Sequence, residues 1–125
     1  KEKGAKRAEM LPVSAPFHCA LMEPAARVMA EALNEVKINV PAVPVVANVR
    51  AEAVSDPDLI RNLLVEQMTG SVRWRESVGY MAAQGVDTVW EVGAGKALAG
   101  MIRRIERSIA CSPVGTPDDI AKLER

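Results

Sequence analysis

Apolar positions along this chain switch repeatedly between a helical and an extended rhythm, and the switches divide it into elements. From Leu21 to Val36 the residues Val28, Met29, Ala32, Leu33 and Val36 recur at three- and four-residue steps. That spacing predicts a helix with one buried face, and Pro24 suits its first turn, where a missing N–H costs nothing. Val43 to Val49 (VPVVANV) is a β-branched run that predicts a buried strand with Pro44 at its beginning. Ser55-Asp56-Pro57-Asp58 supplies a capping side chain, a first-turn proline and acids for the positive pole, so a second helix starts there. Leu59, Ile60, Leu63, Leu64 and Gln67 share one of its faces, and Thr69-Gly70-Ser71 breaks it. A third helix runs from Arg73 to Gln84 and stops at Gly85. Val86 to Val92 (VDTVWEV) predicts a strand, GAGK a turn, and Ala97 to Arg107 a helix. Ser108 to Ser112 then reads as a short strand, and Thr116-Pro117-Asp118-Asp119 opens a last helix.

The opening KEKGAKRA reads as the end of a helix, with Gly4 just past it and Lys1 and Lys3 near the negative pole. Arg7 to Val13 follows as a short strand that runs into the proline-flanked loop SAPFH. Strands alternating with helices predict an α/β fold, a mostly parallel sheet with helical crossovers. Three or four strands leave such a sheet with an open edge, and a chain opening on Lys1 in this way is expected to begin inside a larger unit.

Composition narrows the function classes. The 125 residues suffice for one domain, and 49% hydrophobic with 26% charged residues is the profile of a folded globular chain. Sixteen basic residues balance sixteen acidic ones, so nothing recommends nucleic acid or an anionic membrane as partner. Phe17, Trp74, Tyr80 and Trp90 are the only aromatic residues, too few for a base-stacking platform. Pro12, Pro16 and His18 interrupt the apolar stretch near the start, against a secretory signal, and no run reaches transmembrane length. Cys19 and Cys111 are far apart, and two free thiols in a reducing cytoplasm is the expected state.

His18 is the single histidine. Its place in a rigid proline-rich loop directly before a helix suits a general base. The run LPVSAPFHCALMEPAA (Leu11 to Ala26) resembles the histidine motif of the malonyl-CoA:acyl-carrier-protein transacylase family. The likeness continues through VPVVANV and through VEQMTGSVRWRESVGYMAAQGVDTVWEVGAGKALAGMIRRI, covering Gly4 to Ile105 in order.

That resemblance implies the C-terminal portion of an acyltransferase domain. Residues 1–12 would close a small ferredoxin-like subdomain, and residues 13–125 would form the C-terminal part of a large α/β-hydrolase-like subdomain. It implies malonyl transfer from malonyl-CoA to acyl carrier protein in fatty-acid biosynthesis, in the cytoplasm and without a cofactor. His18 would be the base that deprotonates a serine in a GxSxG elbow. The main-chain carbonyl of Gln67 would orient the imidazole, and Phe17 would crowd the acyl pocket and favour malonyl over methylmalonyl. No GxSxG occurs here, and the arginine that binds the malonyl carboxylate lies in the family's N-terminal part, so this chain alone is expected not to turn over malonyl-CoA. A polyketide synthase acyltransferase fragment and a non-catalytic α/β binding module are the alternatives.

Other signals are weaker. EVGAGKALAG has Trp90 and Ala97 where a phosphate loop needs glycine and Ser or Thr, and Leu98 where the dinucleotide fingerprint needs its third glycine. Cys19 is expected as a small buried residue, and one histidine with two separated cysteines does not make a zinc site. Arg103, Arg104 and Arg107 complement a helix C-terminus, or recruit an acidic carrier protein.

Overall fold

A computed structural model describes residues 3, 4, 8, 10 and 12–123. A 3₁₀ turn (Ala20–Met22) leads into α1 (Glu23–Asn34), which has Pro24 in its first turn. Strands β1 (Val45–Val46) and β2 (Ala53–Val54) pair antiparallel, with Val45 opposite Val54 and Val46 opposite Ala53. The Asp56 carboxylate accepts from the Leu59 N–H at 2.7 Å and starts α2 (Pro57–Glu66). Helix α3 (Trp74–Ala83) ends at Gly85, whose φ of +83° is the left-handed geometry of a helix stop. Strand β3 (Thr88–Val92), helix α4 (Ala97–Ile105) and strand β4 (Ala110–Val114) form a βαβ unit. Its strands pair parallel from Thr88 opposite Ala110 to Val92 opposite Val114. Helix α5 (Pro117–Ala121) opens with a capping box between Thr116 and Asp119.

The core lies where α3 and α4 cover this unit. Val78 is fully buried beside Ile102 and Ile109, with Trp74, Met81, Val89, Ile105 and Cys111 packed around them. Helix α1 packs on α2, and Arg61 Nη2 donates to the Val36 carbonyl at 3.0 Å, tying α2 to the end of α1.

The α/β class is as expected, and from α1 onward the elements follow the order read from the sequence except for β2, which was not expected; several other details differ. Instead of one mostly parallel sheet, the described residues form two separate strand pairs, one antiparallel and one parallel. VPVVANV contributes only Val45 and Val46 to a strand. Pro44 withholds a donor on one side, and on the other Ala47 accepts from the Arg50 and Ala51 N–H groups and turns the chain. Val43 and Val45 are exposed rather than buried. On α1 the expected face is only partly used: Met29 and Leu33 are half-buried, whereas Val28 and Val36 are exposed, and Ala26 is the buried residue. The last strand starts two residues late, because the Glu106 carboxylate accepts from the Ser108 N–H and hydroxyl and holds a turn there. For the strand expected over 7–13, Arg7, Glu9 and Leu11 lie outside the described residues, and the others are not in a strand. The helix end expected before Gly4 includes Lys1 and Glu2, also outside the described residues.

Between the two strand pairs runs a cleft of about 360 Å³, largely apolar, lined by Val46, Trp74, Met81, Trp90, Leu98 and their neighbours. Among the described residues no helix is long and apolar enough to cross a membrane.

Candidate functional site

The loop before α1 presents His18 in an uncommon backbone state. Its φ is +58°, left-handed for a non-glycine residue, in a tight turn where the Phe17 N–H donates to the Ala15 carbonyl at 3.0 Å. This turn carries the imidazole across to the C-terminal end of α2, where Nδ1 lies 2.7 Å from the main-chain oxygen of Gln67. A carbonyl oxygen can only accept, so Nδ1 carries a proton, and in the neutral ring Nε2 holds the free lone pair. The ring is exposed.

Gln67 can offer that oxygen because it caps the helix. The last carbonyls of a helix lack intrahelical partners and carry the negative end of its dipole. The neighbouring Glu66 carbonyl is taken by the Thr69 and Gly70 N–H groups, and that of Gln67 by the histidine. The Gln67 side chain is fixed as well: its Oε1 accepts from Asn48 Nδ2 at 2.9 Å, in a half-buried position.

Asn48 belongs to the turn that joins β1 to β2. That turn is pinned by the Ala51 N–H on the Ala47 carbonyl at 2.8 Å and by the Arg73 N–H on the Asn48 carbonyl, also 2.8 Å. Arg73 further donates to the Arg50 carbonyl and makes two bonds to the Glu76 carboxylate. The same ion pair lowers the Glu76 carboxyl below its ordinary range, first through the hydrogen bond and also through the charge. Gly70 seals the junction, because a Cβ there would stand 2.9 Å from Val49 Cγ1.

Of the residues singled out in the sequence, His18 and Gln67 are brought into direct contact. Phe17 is more than half exposed, as are Leu21 and Val28, and so is not a core residue of the described structure. Cys19 is half-exposed rather than buried, and its thiol donates to the Pro16 carbonyl at 3.1 Å. Cys111 sits half-buried on β4, and burial, helped by the Glu91 charge, pushes its thiol up, so it stays protonated. Arg103 and Arg104 occupy the last turn of α4, about 10 Å along the axis from its start.

Two residues were missed. Asn48 is the one polar side chain in VPVVANV, and a polar residue in an apolar run needs a partner. Glu91 is the one charged residue in TVWEV, and its carboxylate accepts from the Leu98 and Ala99 N–H groups at 3.0 and 2.8 Å. It thereby fills the anion position at the start of α4 that a nucleotide phosphate would need, a physical reason why GAGK is a structural turn.

No protein-family model matches the chain. The malonyl CoA-acyl carrier protein transacylase of Escherichia coli K12 is 48% identical over 121 residues, covering 97% of this chain and 39% of that protein. Among solved structures, the acyl-carrier-protein-S-malonyltransferase of Bartonella henselae superposes with a TM-score of 0.88 at 52% identity, over 96% of this chain and 38% of its own. A malonyl-transacylase in complex with a type II PKS acyl-carrier protein matches at TM-score 0.86 and 40% identity, over 98% and 40%. The chain spans about two fifths of the length of the curated relatives it matches.

Proposed function

Because this chain belongs, over nearly all its length, to the malonyl CoA-acyl carrier protein transacylase family, we propose that it is the C-terminal portion of such an enzyme and supplies its general base. The observation that carries the reading is the 2.7 Å contact between His18 Nδ1 and the Gln67 carbonyl, which leaves Nε2 free to take a proton.

In this reading a serine from the remainder of the enzyme attacks the thioester carbonyl of malonyl-CoA while His18 Nε2 takes its proton. The tetrahedral intermediate collapses, the CoA sulfur leaves with that proton, and a malonyl-serine ester remains. The pantetheine thiol of acyl carrier protein then gives its proton to Nε2, attacks the ester, and the serine leaves reprotonated. Through both halves the Gln67 carbonyl holds the tautomer and stabilises the imidazolium that forms twice. Phe17 crowds the position next to the acyl carbonyl and disfavours a methyl branch there, a discrimination of about 1–3 kcal/mol. No cofactor enters the cycle. The carrier serves fatty-acid or polyketide synthesis, the latter suggested by the relative bound to a type II PKS carrier.

The finer architecture is part of the same proposal: residues 1–12, of which 1, 2, 5–7, 9 and 11 lie outside the described residues, would close a ferredoxin-like subdomain, and residues 13–125 would belong to a hydrolase-like one working in the cytoplasm. The exposed Phe17, Leu21 and Val28 agree with a site covered by the rest of the enzyme.

The test joins this segment to the unmatched part of the E. coli relative and measures malonyl transfer from CoA to carrier protein. His18→Ala is expected to lower kcat by roughly 10²- to 10⁴-fold with the fold intact by circular dichroism. Equal rates with and without the imidazole would refute the assignment. The segment by itself is expected to show no transfer.

A further inference from the structure

We infer that Asn48 is a positioning residue for His18, acting through the side chain of Gln67; the inference rests on His18 being the base. A backbone carbonyl orients an imidazole only as well as its own peptide plane is held, and Gln67 lies at a helix end, where planes are least constrained. The plane of that carbonyl is held on its N–H side by Met68, which donates to the Val65 carbonyl at 3.0 Å, and the Gln67 side chain supplies a second constraint. Asn48 Nδ2 holds Gln67 Oε1 at 2.9 Å, so beside the backbone bonds of the Gln67 and Met68 N–H groups to the Leu63 and Val65 carbonyls the residue is tied to the neighbouring turn through its amide.

The anchor is itself rigid. Asn48 has its carbonyl engaged by the Arg73 N–H, in a turn closed by Ala51, whose φ of +58° is sustained by its burial. The approach of Gly70 to Val49 docks this turn against the end of α2 without room for another carbon. The relay therefore runs from Arg73 through Asn48 and Gln67 to His18 Nδ1, each link a hydrogen bond of 2.7 to 2.9 Å. Loss of the amide link leaves the Met68 bond as the tie on that plane and lets it tilt about that bond, which loosens the grip on Nδ1 more than the fold.

Two measurements test this. The first is kinetic, in the hybrid enzyme described above. Asn48→Ala and Gln67→Ala should each lower kcat by roughly tenfold, with the KM for malonyl-CoA unchanged, and the double variant should be no slower than either single one, because both cut the same link. Multiplying losses, or a KM effect with kcat intact, would overturn the inference. If His18→Ala keeps its rate, the reading of the base has failed instead. The second uses this chain directly. Its single histidine makes the ring nitrogens assignable by ¹⁵N NMR. The neutral ring should carry its proton on Nδ1, and Asn48→Ala should shift it toward a mixture with Nε2. A ring that keeps the Nδ1 proton in Asn48→Ala would overturn the inference even where the hybrid is inactive.

Discussion

Replacing Glu91 offers a sharp test of how this fold is held. Helix α4 has no side-chain cap of its own, since Lys96 stands at its N-cap without a capping bond. The cap comes from the preceding strand: both carboxylate oxygens of the half-buried Glu91 are used, one on the Leu98 N–H and one on the Ala99 N–H. Glu91→Ala removes both acceptors at once. Leu98 is exposed enough for water to replace its bond, whereas Ala99 is buried and its N–H is left unpartnered, at a cost of about 1–3 kcal/mol. Loss of a negative charge at the positive pole of the helix adds about 0.3–1 kcal/mol. Glu91→Ala is therefore expected to destabilise the protein by about 3 kcal/mol, a fall in Tm on the order of 10 °C at this chain length. Glu91→Gln keeps one acceptor and the same shape, so it should cost about 1 kcal/mol. Thermal and urea unfolding followed by circular dichroism would measure both. If the two variants unfold within about 0.5 kcal/mol of the parent, the carboxylate contributes nothing and the account of the glycine-rich turn is wrong.

Two further outcomes follow from local packing and charge. Gly70→Ala puts a methyl 2.9 Å from Val49 Cγ1 and 3.1 Å from the Glu66 carbonyl, so it should cost about 1–3 kcal/mol. Adding Val49→Ala should recover part of that loss in the same unfolding assay, and no recovery would locate the strain elsewhere. At the start of α5, the Asp119 carboxyl is lowered by the Thr116 hydroxyl first, then by the Gly115 and Thr116 N–H groups. A carboxyl whose folded value lies below its unfolded one adds stability above about pH 4 and loses it as pH falls through the folded value. The Gly115 and Thr116 amide resonances should inflect in that acid range, and Asp119→Asn should abolish the inflection.

Much of this was readable in the residues, for reasons that differ from place to place. The helix starts at Asp56 and Thr116 and the stop at Gly85 were legible because capping is local: the cap, its partner and the proline lie within four residues. Strand β3 was legible because its β-branched run is paired within this chain. VPVVANV was not, since its apolar run says that the segment is meant to be covered and not by what; here Val43 and Val45 remain exposed. The same holds for the outer face of α1. At the site, the motif around His18 pointed to a base, and the resemblance pointed to Gln67. Asn48 escaped because its meaning depends on a partner nineteen residues away, a pairing that only the folded chain reveals.

The choice of a helix-end carbonyl as the partner of His18 has a physical consequence. A carboxylate in that place would titrate, and its own protonation would release the tautomer in acid. A main-chain carbonyl does not titrate, and the ten residues of α2 aim their dipole so that the ring faces its negative end. In the proposed mechanism, an imidazolium formed during proton transfer would thus be stabilised by a fixed partial charge instead of by an ion that must itself be desolvated. The arrangement transfers the burden from charge to placement, because a carbonyl of partial charge has to sit close and in line to matter. If His18 is the base, the turn at residues 47–51, with Asn48, Arg73 and the bare Cα of Gly70 around it, would therefore serve its chemistry although none of these groups hydrogen-bonds the ring.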